Sequence, residues 1–257
     1  MADELEPIRW KIGWARNHLQ AFHTLAQQWI AQSDFWTPKS YQDRKGRLVL
    51  GVKEVRPFPN EMLLHAGDCA HNLRSALDHL AFLICKPKTE QRERAVEFPI
   101  TSSYAKFRGT GSKMPNAPRG YRTAVERLQP YHRRVHPEAM ALWHLQEINN
   151  WDKHRRLLAA AASLQWSNIN VRFRGATSIE NVVQFQGMFK PGAILARIEM
   201  GYSEVGAEVG VDPELALTPV FDDGMPKRVQ RLPILGTLRN AADHIETTVL
   251  PELSQFV

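Results

Sequence analysis

The stretch "GDCAHNLRSALDHLAFLI", Gly67 to Ile84, decides how this chain is read. Taken from Leu63, its apolar positions fall at Leu63, Ala66, Ala70, Leu73, Leu77, Leu80 and Ile84. The steps alternate three and four, the period of a helix that buries one seam against its neighbours. The outward positions hold Asp68, His71, Asn72, Ser75, Asp78 and His79. A solvated helix face is normally rich in Lys and Glu, and this one has neither. His71 and Asp78, Asn72 and His79, and Asp68 and Ser75 are each seven apart, so they project as one band. Short hydrogen-bonding side chains in such a band suit close approach by another helix, a ligand or a second copy of the chain.

Working outward, three further long helices and a block of strands account for most of the sequence. A helix is expected over about Pro7 to Gln32, from the spacing of Ile8, Ile12, Ala15, Leu19, Phe22, Ala26 and Trp29. "GRLVLGVKEVRPFP" reads as one short strand ended by two prolines. The helix containing Gly67–Ile84 opens near Pro59-Asn60 and stops before Pro87, and a short helix covers Tyr121 to Leu128. The third long helix is expected from about Pro137 to Leu164 and the last from about Pro233 to Leu253. Between them "NINVRFRG", "ENVVQFQGMF", "AILARIEM" and "ALTPVFDD" alternate apolar and polar residues, as antiparallel strands do. The fold class expected is α+β: mainly a helical bundle of four long helices, with a small antiparallel sheet inserted before the C-terminal helix. Because a helix returns after the strands, residues 1–257 read as a single intertwined domain. Its bundle core would span 5–164 and 232–254, and its strand block about 165–224.

Charge is unevenly distributed. The net charge is +6, and the segment from Thr101 to His136 alone carries +7, with Lys106, Arg108, Lys113, Arg119, Arg122, Arg127, Arg133 and Arg134 against Glu126. An acidic stretch from Glu199 to Asp223 holds no Lys or Arg. The basic segment reads either as a phosphate-tracking surface or as the partner of the acidic one. No apolar run reaches the about 18 residues of a membrane span. The N-terminus lacks a secretory h-region, and Cys69 and Cys85 on one helix stand about 24 Å apart, beyond disulfide reach. Reduced thiols and no signal point to a cytoplasmic protein without a membrane partner.

The chemistry-bearing residues sit on two helices. "NNWDKHRR" places Asn149, Asp152 and Arg156 on one face and Asn150 and His154 on the next, with Lys153, His154 and Arg155 forming a cationic run. Metal ligation could draw on His65, Asp68, His71, His79, Asp152 and His154, but there is no His-Glu-x-x-His, Cys-x-x-Cys or Glu-x-x-His pattern. No metal or cofactor is therefore expected. There is no Gly-x-Ser-x-Gly elbow, and "GTGSK" matches neither phosphate-loop fingerprint. Metal-independent RNA cleavage needs a proton-handling group and a cation for the phosphorane. His79 and Arg74 would supply both from one helix, while Arg74 and Asp78 also stand at the i,i+4 spacing of an ion pair.

"RSALDH" resembles the Arg-x(4–6)-His motif of the HEPN superfamily, helical-bundle proteins that include ribonucleases of toxin–antitoxin and phage-defence systems. The resemblance implies Arg74 and His79 as the catalytic pair, Ser75 as the polar residue after the Arg, and a cleft shared between two copies. The chain also looks like a group of uncharacterised bacterial proteins with "GD–HNLRSALDHLA", "FPI", "LQPYH" and "N–DKHR" segments, between about Asn60 and Leu158. Residues five apart on a helix point about 140° away from each other, so Arg74 and His79 would converge only across a second chain or a substrate. The expectation is a homodimeric, metal-independent endoribonuclease with RNA as substrate and an antitoxin as a further partner. Asp68, His71, Asn72, Ser75, Asp78, Asn150 and Asp152 would support the pair. Lys153, His154, Arg155, Arg133 and Arg134 would hold the nucleic acid. Two alternatives stand beside it: a non-catalytic bundle binding nucleic acid or protein, and a metal-dependent hydrolase using the His/Asp set.

Overall fold

The computed structural model describes residues 3–32, 34–132, 134, 140–154, 158–174, 177–203 and 208–257. These form two compact units, each assembled from separate stretches of the chain. The first comprises Met1–Thr24, Asn60–Ala159 and Asp223–Val257; the second comprises Leu25–Pro59 and Ala160–Asp222.

The first unit is helical. Helix α1 spans Glu6–Ile30 and belongs to this unit as far as Thr24. Helix α2 spans Asn60–Cys85 and buries Ala66, Ala70, Leu73, Leu77, Leu80 and Ile84, the seam anticipated from their spacing. Proline brackets it on both sides, at Pro59 and Pro87. The turn between is closed by Lys86, whose φ of 42° lies in the left-handed region and whose N–H donates to the Phe82 carbonyl. Short helices α3 (Glu90–Ala95), α4 (Tyr104–Arg108) and α5 (Tyr121–Arg127) follow, and then α6 (Met140–His154). Helix α2 packs against α6 and against α7 (Ile234–His244), and α6 and α7 pack against each other. The last helix is not uniform: a π turn at Ile245–Val249 separates α7 from α8 (Leu250–Ser254). Pro251 accounts for the break, because it has no N–H to return to the carbonyl one turn back.

The second unit holds two antiparallel sheets, which corrects the expectation of a helical bundle carrying one small sheet. The four-stranded sheet runs β1 (Trp36–Gln42), β2 (Leu48–Val55), β6 (Ile194–Ser203), β4 (Thr177–Gln184). The three-stranded sheet runs β5 (Gly187–Phe189), β3 (Ala160–Arg174), β7 (Glu208–Phe221). Two physical causes explain the difference. Strand β1, "WTPKSYQ", lies at a sheet edge with nearly every residue exposed, and its proline and lysine are the residues that edges tolerate and helical or core periodicity ignores. The third long helix is described as far as His154 and does not continue to Leu164, because Ala160 already belongs to β3. "AAAS" is helix-favouring by propensity, yet Ala160–Ser163 pair with Thr218–Phe221, so cross-strand pairing overrides local preference. Trp29, Phe35, Phe58 and Phe189 form a buried aromatic cluster in this unit.

Candidate functional site

The polar face of α2 separates into three environments. Arg74 points inward, 3% exposed. Its guanidinium donates to Asp78 Oδ1 at 2.8 Å and Oδ2 at 3.3 Å, to Glu97 Oε1 at 2.9 Å, to Gln146 Oε1 at 2.9 Å and to the Phe98 carbonyl at 2.7 Å. The Asp78 carboxylate in turn accepts from the Phe98 N–H at 2.9 Å. Burial pushes its pKa up, against the opposing pull of Arg74. This is a buried ion cluster tying α2 to the "FPI" segment and α6, and at 3% exposure Arg74 presents almost no surface to a solvent-side substrate. Asp78 is half-buried, bonded to Arg74 and Phe98 on one side and open to a groove on the other.

Nearby hydrogen bonds knit the other short motifs together. Gln129 Nε2 donates to the Pro99 carbonyl at 2.8 Å, and Gln129 Oε1 accepts from the Thr101 N–H at 2.9 Å, joining "LQPYH" to "FPI". Tyr131 and His132 both bind Glu126 Oε1 at 2.7 Å. Asp152 comes so close to Gly67 that a Cβ there would stand 2.8 Å from its Oδ1. Segments that read as a functional signature are thus, in large part, the cross-links of the helical unit.

The second environment lies around His79. Its side chain is exposed and, among the described residues, has no hydrogen-bond partner. Burial against the groove wall holds its pKa below the ordinary imidazole value, Lys11 on α1 pushes it the same way, and Asp78 opposes them. His79 and Asp78 line a groove of about 510 Å³ with Glu4, Pro7, Ile8 and Phe82. On α1, Pro7, Lys11, Trp14 and His18 are spaced four, three and four, so they share one side. On α2, His65, Asp68, Asn72, Ser75 and His79 are spaced three, four, three and four. His18 meets His65 at one end, and Lys11 acts on His79 across a shared groove at the other, so the two stripes run antiparallel along a seam. On the same helix as Lys11, Trp10 and Trp14 are 66% and 59% exposed. Asn72 Nδ2 donates to the Asp68 carbonyl at 2.8 Å, and Ser75 is half-buried.

The third environment is the far end of the seam. His18 Nδ1 stands 3.0 Å from His65 Nδ1 and 4.0 Å from Asp68 Oδ2. The His18 pKa is lowered, first by burial and also by His65, with Asp68 opposing. Asp152 is half-buried, and burial and the Asp68 carboxylate raise its pKa while His71 lowers it. His18 was missed by sequence reading because it falls on the flank of α1, and nothing in one helix predicts what a neighbouring helix brings to it.

The nucleic-acid residues expected from charge fare unevenly. Lys153 and Arg134 are exposed, whereas Arg133, Arg155 and the side chain of His154 lie outside the described residues. Asn150 accepts from Gln146 at 3.4 Å. Three cations of the basic 101–136 segment are committed internally: Lys113 to Glu97 at 2.5 Å, Arg127 to Glu252, and Arg122 to the Arg108 carbonyl at 2.8 Å. A larger cavity of about 620 Å³ runs along α7, with His144, Asn240, Asp243 and Thr247 in its wall, and takes in none of the residues singled out from sequence. Among the described residues no helix is long and apolar enough to cross a membrane. No protein-family model, no curated protein and no solved structure matches this chain.

Proposed function

We propose that this protein is a HEPN-like, metal-independent endoribonuclease whose proton-transfer group is His79 and whose phosphate-facing cation is Lys11 rather than Arg74. The observation that carries the reading is the unpartnered His79 imidazole, held toward its neutral form beside Lys11 at the wall of an open groove. A neutral imidazole near working pH is the form that accepts a proton. His79 takes the proton from a ribose 2′-OH, O2′ attacks the adjacent phosphorus, and the bond to the 5′-oxygen breaks. A 2′,3′-cyclic phosphate and a 5′-hydroxyl result, the leaving oxygen taking its proton from the imidazolium or from water. Lys11 offsets the charge that builds on the phosphorane oxygens. Trp10 and Trp14 give unstacked bases two faces to stack on, as single-stranded RNA requires.

Arg74 retains a role in this scheme through Asp78, which it fixes behind His79. The arrangement does not depend on Arg74 reaching His79 across a twofold axis, so a monomer suffices for the chemistry. The test is cleavage of a labelled single-stranded RNA in excess chelator, with products resolved by their termini. Wild type is expected to produce cyclic phosphate ends, with His79→Ala reduced by about a hundredfold or more and Lys11→Ala by about tenfold. Equal cleavage by wild type and His79→Ala, or no cleavage of any RNA by wild type, overturns the reading.

A further inference from the structure

A second site lies at the opposite end of the α1–α2 seam from His79. We propose that His18, His65 and Asp68 bind a zinc-class divalent cation, with a fourth coordination position open to solvent. Candidate ligand atoms from these three residues all lie within 4.8 Å of one another. Four-coordinate zinc with bonds of about 2.1 Å places its ligands about 3.4 Å apart. The His18–His65 separation of 3.0 Å and the His18–Asp68 separation of 4.0 Å bracket that value, and no pair in the set exceeds 4.8 Å, so side-chain rotation is what closing the set requires. Two imidazole nitrogens facing each other at 3.0 Å need a shared proton or a shared cation between them.

The ligand types choose the metal. Two imidazoles and one carboxylate suit zinc and its neighbours, whereas magnesium and calcium take oxygen. The scaffold is ordered: His65 and Asp68 sit one turn apart on α2, and His18 comes from α1. A cation would therefore clamp the two helices. The open position follows from exposure, since the Asp68 side chain is 59% exposed while that of His18 is 18% exposed. Trp14 sets its ring edge against His18, with centroids 6.0 Å apart, and walls one flank. Nearby, the Asp152 carboxylate adds negative charge that a bound cation offsets.

This inference does not rest on the ribonuclease reading, which concerns the other end of the seam and is tested in chelator. The full chain, stripped with chelator and dialysed, is titrated with cobalt(II) and with zinc(II). The expected result is a single equivalent bound, with visible ligand-field bands of four-coordinate cobalt and a raised thermal midpoint with zinc. His65→Ala and Asp68→Asn should weaken binding by about tenfold or more and remove the thermal shift, while His23→Ala, on the same helix as His18, should bind as wild type does. Far-UV circular dichroism establishes that each variant is folded. No stoichiometric binding by wild type overturns the proposal and leaves a simple His–His hydrogen bond. Undiminished binding by a folded His18→Ala/His65→Ala double variant overturns it as well.

Discussion

Replacing Arg74 by methionine separates a structural cation from a catalytic one. The side chain is 3% exposed and its guanidinium bonds to Asp78, Glu97, Gln146 and the Phe98 carbonyl at 2.7–3.3 Å. Methionine fills similar volume but leaves two carboxylates and a carbonyl without their shared donor. Removing one partner of a buried ion cluster costs about 3–5 kcal/mol. The Asp78 and Glu97 side chains keep 31% and 37% exposure, so water compensates part of that loss. We therefore expect Arg74→Met to cost about 3 kcal/mol, a drop of about 6–12 °C in the thermal midpoint for a chain of this size. Arg74→Lys keeps the charge but loses the planar fork, and should fall between. Urea unfolding followed by far-UV circular dichroism reads the loss. A double-mutant cycle with Asp78→Asn should show coupling of about 1 kcal/mol or more, because both groups belong to one network. RNA cleavage per folded molecule should fall far less than in His79→Ala. An unchanged unfolding midpoint, together with abolished cleavage, would refute the reasoning and return Arg74 to the role of a free phosphate-binding cation.

Further outcomes concern His79 and Gly51. The His79 pKa is lowered in the folded chain, so cleavage by its neutral form should rise with pH through an inflection below the ordinary imidazole value; Lys11→Gln, which removes a lowering influence, should move that inflection upward. The same depression means that protonating His79 costs stability. The His79 contribution is therefore present above the ordinary imidazole pKa and lost as pH falls through the folded value, which a comparison of wild type and His79→Gln across that window checks. Gly51 sits at an irregularity between β2 and β6, where an added Cβ would stand 2.9 Å from the Ala193 carbonyl oxygen. Since that neighbour is backbone, Gly51→Ala should destabilise the strand unit by about 1–3 kcal/mol, read by urea unfolding; an unaltered midpoint would show that the backbone yields freely.

The helical unit was legible at its long helices, and most clearly at α2. The seam of α2, its start after Pro59 and its stop before Pro87 follow from periodicity and from proline chemistry, which act over one or two turns. The strand unit was only partly legible. Period-two patterning marked β2 and much of β3 to β7, but β1 is an exposed edge with no pattern to read, and Ala160–Ser163 are strand only because Thr218–Phe221 lie beside them.

The site divides along the same line. Sequence alone determined that α2 carries an outward band of Asp, His, Asn and Ser where Lys and Glu are usual, because spacing along one helix fixes which residues share a face. Which members of that band are free was decided by what other elements bring to it. Phe98, Glu97 and Gln146 bind Arg74, and the Phe98 N–H also holds Asp78. His79 opens onto the groove with Lys11 acting on it from α1, and His18 arrives opposite His65 and Asp68. A motif such as Arg-x4-His records residue types and a spacing. Whether its arginine is a tool or a tie depends on hydrogen bonds made across tens of residues of chain, and those exist only in the folded molecule.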